Sequence, residues 1–132
     1  MGNTLFGIFI LLHGLVHIWY IVLAQQWVAF KPEMGFSAQS WVFTQTLGDS
    51  TTRKSAAVFY GTSTLAFIIA AIAIFTRAGW MKPCLIFASM LSLITILFFW
   101  DGKFERIVEK GLVGFIINIL IFCTIIYSNR IG

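Results

Sequence analysis

Charge is what this sequence has least of. Only 11% of its 132 residues are Asp, Glu, Lys or Arg, where a soluble domain carries about 25%. With 59% hydrophobic residues and a mean hydropathy of +0.91, the chain has too little polar surface to cover a water-facing globule. Other absences narrow the chemistry. No nucleophile elbow, glycine-rich phosphate loop, HExxH or CxxC is present, so nothing resembles a hydrolase or kinase site. The two cysteines, Cys84 and Cys123, do not make a disulfide framework, and buried free thiols are expected.

What is present is hydrophobicity in long blocks. Four runs, about residues 4–24, 55–76, 83–100 and 108–127, have no charged residue in their interiors. Each supplies the roughly 20 residues that cross about 30 Å of hydrocarbon as a helix. Lipid offers the backbone no partner, so each run must satisfy its own peptide groups as a helix. The first run lacks a basic leader, and "VLAQQ" is a poor cleavage site, so a retained helix is expected rather than a signal peptide. The expectation is an all-α, integral membrane, antiparallel four-helix bundle forming one domain over residues 1–132. Its natural setting would be a bacterial or archaeal plasma membrane.

The connections refine this picture. "RAGWMKP" is tight, with Gly79 suited to end one helix and Pro83 to begin the next. "DGKFERIVEK" is also short, so neighbouring helices run antiparallel. The connection over residues 25–54 is the long one. Its Phe36, Trp41, Val42, Phe43 and Leu47 suit a short interfacial helix or, alternatively, a lid over the bundle mouth. Asp49 or Ser50 would cap the second span. Lys31, Arg53, Lys54, Lys103, Arg106 and Lys110 fall on one side, against Arg77, Lys82 and Arg130 on the other. By the positive-inside rule both termini lie outside. Basic residues confined to loops are a membrane-interface pattern, and a nucleic-acid partner is not indicated. Small residues mark close packing: Gly7 and Gly14 on the first span, Thr62, Ala66, Ala70 and Ala73 on the second, Gly111 and Gly114 on the fourth. They serve either packing within the chain or a homo-oligomer.

Against this background "LLHGLVHIWY" stands out. Both histidines of the chain, His13 and His17, lie on one face of the first span at i, i+4, with Tyr20 a turn further on. Polar rings at membrane depth usually face the bundle interior. Counting depth at about 1.5 Å per residue places Tyr60 and Thr95 level with His17. Thr64, Ser92 and Asn118 fall nearer His13 on the same count. These seven residues with Tyr20 form a candidate polar layer, and Trp19, Tyr20 and Tyr60 are candidate pocket walls. The layer is read either as packing glue of about 0.6 kcal/mol per hydrogen bond or as a ligand site. Metal and haem are disfavoured as cofactors. Two histidines on one helix cannot take opposite faces of one haem, and no cysteine or carboxylate lies at their depth to complete a metal site. Asp101, Glu105 and Glu109 sit at the mouth nearer His17, about 10 Å from it along the axis. They are a candidate cation or proton entrance, although Lys103, Arg106 and Lys110 interleave them and suit a self-neutralised loop.

"FGIFILLHGLVHIW" resembles the first helix of DoxX-like four-helix membrane proteins, and "IFTRAGW" resembles their passage between the second and third helices. HGxxH and "FFWDGKF" are similar to small bacterial four-helix proteins that carry no assigned activity. The DoxX resemblance implies a four-helix bundle acting as an accessory or quinone-linked subunit of redox systems, with His13 and Gly14 as the matching residues. The long first connection and the second histidine depart from it. Small multidrug transporters differ in carrying a glutamate in their first helix. The leading expectation is a membrane protein binding a small lipophilic ligand, a quinone or a lipid, around the histidine pair. A proton-coupled oligomeric transporter or channel and a structural subunit of a larger membrane complex are the alternatives.

Overall fold

The computed structural model describes residues 1–131, with side chains as far as Ser128. Gly132 and the side chain of Arg130, which entered the orientation count, lie outside the described residues. The elements are α1 (Gly2–Ala24), α2 (Thr44–Leu47), α3 (Asp49–Phe75), α4 (Met81–Phe98) and α5 (Val113–Ile131), with a wide π turn at Val108–Leu112 leading into α5. No strand occurs among the described residues. Helices α1, α3, α4 and the stretch Val108–Ser128 are long and apolar enough to cross a membrane. The protein is an all-helical membrane protein whose four spanning helices pack against one another in chain order, α1 on α3, α3 on α4 and α4 on α5. Leu12, Val16, Leu65, Ile69, Phe87 and Leu120 are exposed on its outside, where a soluble protein would carry charge.

The helix ends correct three expectations. Helix α3 begins at Asp49 rather than near Ser55, because a hydropathy reading sees only the apolar part of a helix that continues beyond it. Gly48 holds the N-cap position, and Asp49 lies in the first turn, bonded at 2.8 Å to Arg53. There a carboxylate also suits the helix dipole. After α3 the left-handed closing residue is Arg77, at φ 54°, and not Gly79. The amide of Ala78 donates to the Ala73 carbonyl at 2.9 Å and that of Arg77 to Ile74 at 3.2 Å, the paired bonds of a Schellman ending. Helix α4 then spans Met81–Phe98 instead of 83–100, with Pro83 in its first turn, where a missing N–H costs nothing.

The long first connection holds one short α-helix and packs on the end of the bundle. Only Thr44–Leu47 is α-helical, and Ala38 at φ 56° breaks any continuous helix before it. Phe36, Ala38 and Ser40 are buried on the end of the bundle. The Phe36 ring meets Tyr20 at 4.9 Å and Tyr60 at 5.6 Å. The Ser40 hydroxyl donates to the Phe98 carbonyl, the Trp41 indole to Leu97 at 2.8 Å, and the Trp41 amide to Trp100 at 2.8 Å. The Leu97 and Phe98 carbonyls are among those that the end of a helix leaves without intrahelical partners. The segment is therefore a plug that caps α4 while sealing the mouth.

Two glycines of α1 explain its close approach to α3. A Cβ at Gly14 would lie 2.5 Å from the Phe67 Cβ, and one at Gly7 would lie 2.5 Å from the Phe75 ring. Thr62 faces outward and leaves the small-residue stripe to Ala66, Ala70 and Ala73. The two glycines differ in what must yield. Phe75 is exposed and can swing aside, whereas the Cβ of buried Phe67 is fixed to its backbone. Gly14→Ala is expected to cost about 1–3 kcal/mol of overpacking in reversible unfolding from detergent micelles, with Gly7→Ala close to neutral. Equal costs would contradict this close-packing account.

Candidate functional site

The two histidines face the interior, His13 7% and His17 3% exposed. The Nδ1 of His17 lies 3.1 Å from the carbonyls of His13 and Gly14. Carbonyls only accept, so Nδ1 carries the hydrogen and Nε2 is the acceptor. The Ser92 hydroxyl donates to that Nε2 at 2.6 Å. The amide nitrogen of Asn118 donates to the Ser92 oxygen at 2.7 Å, which leaves the Asn118 carbonyl to accept. The Nε2–H of His13 donates to it at 2.9 Å. Four side chains from α1, α4 and α5 thus form one circuit. With both rings uncharged, the carbonyls beside His17 fix the direction of every hydrogen in it.

Helix α3 contributes aromatic walls instead of hydrogen bonds. The Phe67 ring lies 4.9 Å from His13 and 5.6 Å from His17, and Tyr60 lies 5.9 Å from His17. Ser92 was expected nearer His13 but bonds His17. Its hydroxyl reaches His13 only through Asn118. Thr64 and Thr95 are buried but donate to their own helices, Thr64 to Tyr60 at 3.0 Å and Thr95 to Leu91 at 2.7 Å. Thr95 also lies 3.4 Å from the Ser63 hydroxyl. Trp19 does not wall the site, since it is exposed on the outside of α1.

Tyr20 and Tyr60 stack nearly parallel, with centroids 4.8 Å apart. Phe36 and Phe99 pack around them and close the mouth above His17. The hydroxyl of Tyr60 is fully buried without a hydrogen-bond partner, as is that of Ser89 one turn below Ser92.

The acidic trio at the mouth does not act together. Asp101 is bound at 2.9 Å by Lys110, whose ammonium also donates to the Lys103 carbonyl at 3.1 Å. Glu105 and Glu109 are exposed and have no ion-pair partner among the described residues. Burial of Lys110, a feature the sequence pattern did not suggest, follows from the π turn that folds it back on Asp101. Beside it, between the end of α4 and the start of α5, lies a half-open cavity of about 250 Å³, with Leu97 and Phe104 exposed at its rim. Ile96, Leu97, Trp100, Phe104, Ile107 and Phe115 wall it, with the aliphatic stem of Lys110. Ile96 is one turn from Ser92 and Phe115 one turn from Asn118, so the cavity lies directly mouthward of the circuit. Both cysteines are free, Cys84 half-buried and Cys123 exposed rather than buried. No group of three or more His, Cys, Asp or Glu among the described residues is arranged to hold a metal.

Comparison with family models, with curated proteins and with solved structures gives no match.

Removing the serine from the circuit strands two buried groups at once, His17 Nε2 and the Asn118 amide. Ser92→Ala is therefore expected to cost about 1–3 kcal/mol, more than the ~0.6 kcal/mol of one interhelical bond in a membrane. A Ser92/Asn118 double-mutant cycle in reversible unfolding checks this, and additive single costs would show that no circuit operates.

Proposed function

We propose that this small integral membrane protein holds a lipophilic ligand between α4 and α5, with the histidine circuit setting the width of the site. The observation that carries this reading is the apolar cavity one turn from Ser92 and Asn118. At about 250 Å³ it falls just under the ~300 Å³ at which drug-sized pockets begin. That volume suits a single ring or a stretch of hydrocarbon chain. The Lys110 ammonium is turned to Asp101 and leaves only its methylenes at the wall.

In this reading the histidines position rather than bind. Every N–H they own is already donated, to Asn118 or to backbone carbonyls. A quinone carbonyl would find no free donor on either ring. Instead the circuit ties α1 to α4 and α5 and fixes the separation of the two helices that wall the cavity. The quinone-linked accessory role implied by the DoxX resemblance is compatible with a ligand in this cavity, not with one coordinated by His13 or His17.

Filling the cavity separates this reading from a purely structural one. Native mass spectrometry of gently purified wild-type protein is expected to retain a lipophilic adduct that Ile107→Trp loses while still folding. The same adducts on both proteins would refute the cavity as the binding site.

A further inference from the structure

An apolar cavity inside a membrane has a selectivity problem. Lipid tails are as apolar as its walls, so hydrocarbon gains little by leaving the bilayer for it. Discrimination requires a polar group that the ligand alone can satisfy. Two such groups lie packed behind the cavity's Ile96 and Phe115 walls. The Tyr60 hydroxyl is fully buried and unpartnered, a state that is costly inside a protein. The Tyr20 hydroxyl, on the ring stacked against it, has no hydrogen bond among the described residues either.

Gly111 connects this pair to the cavity. It sits in the π turn at φ 111°, where a side chain is strained. The point its Cβ would occupy lies 3.4 Å from the Tyr20 hydroxyl and 3.3 Å from the Ile96 side chain that walls the cavity. Glycine keeps that space free of any side chain. Ile96 and Phe115 belong to the same packed cluster as Tyr20 and Tyr60, so the tyrosine pair sits directly behind two of the cavity's walls.

We infer that the stacked pair Tyr20–Tyr60 is the polar end of the site, donating hydrogen bonds past Gly111 to a carbonyl oxygen on a ligand whose hydrocarbon part fills the α4–α5 cavity. This rests on the cavity reading above. Phenol hydroxyls donate to a carbonyl without needing charge, which suits a site that shows the ligand no free ammonium or carboxylate. A ketone-type carbonyl on a quinone ring and an ester carbonyl on a lipid share this chemistry, and the choice of probe separates them.

The test uses the full chain in nanodiscs of an ether-linked phosphatidylcholine, which brings no carbonyl of its own. The probes are a decyl-substituted benzoquinone, methyl laurate and dodecane, read by the shift in melting temperature across a concentration series. The carbonyl probe of the correct source is expected to bind wild type at least tenfold more tightly than dodecane does. Tyr60→Phe removes an unpartnered hydroxyl, so its melting temperature without probe should equal or exceed that of wild type. It should bind the carbonyl probe about tenfold more weakly and dodecane unchanged. Tyr20→Phe should behave likewise. If Tyr60→Phe and Tyr20→Phe both keep wild-type affinity while Ile107→Trp abolishes binding, the cavity stands and the tyrosine assignment falls. If no probe shifts wild type, and Ile107→Trp melts identically with and without each, the cavity reading falls as well.

Discussion

The absence of water at the membrane midplane governs this structure. A histidine placed there must find its partners within the protein, because an unsatisfied polar group in hydrocarbon costs several kcal/mol. One histidine could have turned to a neighbouring carbonyl, as Thr64 and Thr95 do. The two on this face find their partners differently. His17 takes the carbonyls of His13 and Gly14, and His13 is sent across to Asn118. Ser92 then closes the gap between His17 and Asn118. A pair of residues on α1 thereby dictates polar groups on α4 and α5, and the bundle gains a crosslink that apolar packing would not supply.

The same constraint shapes the mouth. The carbonyls at the end of α4 need donors near the membrane surface, and the first connection supplies them through Ser40 and Trp41. In reaching them the chain lays Phe36 over Tyr20 and Tyr60, which removes the two phenols from bulk solvent. The π turn at Val108–Leu112 swings Lys110 onto Asp101, and Gly111 accepts the backbone angle this requires. The space left between the end of α4 and the start of α5 is the cavity. Three local solutions to unsatisfied polar groups thus meet around one apolar void.

Much of this was legible in the sequence, and the unread parts have physical reasons. Uncharged runs of about 20 residues fixed the four spans, since length and composition alone decide that question. The depth count put Asn118 beside His13 and Tyr60 beside His17, and the structure brings both pairs together. It set Ser92 nearer His13, whereas the Ser92 hydroxyl bonds His17 and reaches His13 only through Asn118. Trp19 followed the histidines in sequence but not in angle around the helix, so it faces outward. Lys110 was unreadable for a different reason, and Phe36 was legible only as part of a lid over the mouth. Their burial depends on irregular backbone, a π turn and a broken loop, and periodicity carries no signal for either. The cavity was hidden likewise, because it is defined by where two helices part.

The direction of the hydrogen-bond circuit is the most exposed part of this account. Side-chain ¹⁵N spectroscopy of the histidine-labelled protein in bilayers reads each ring nitrogen separately. The circuit requires two different neutral tautomers on one helix, His13 carrying its hydrogen on Nε2 and His17 on Nδ1. Those assignments, with Asn118→Leu releasing the preference at His13 alone, would establish it. Identical tautomers at both positions, or a doubly protonated ring at neutral pH, would contradict it.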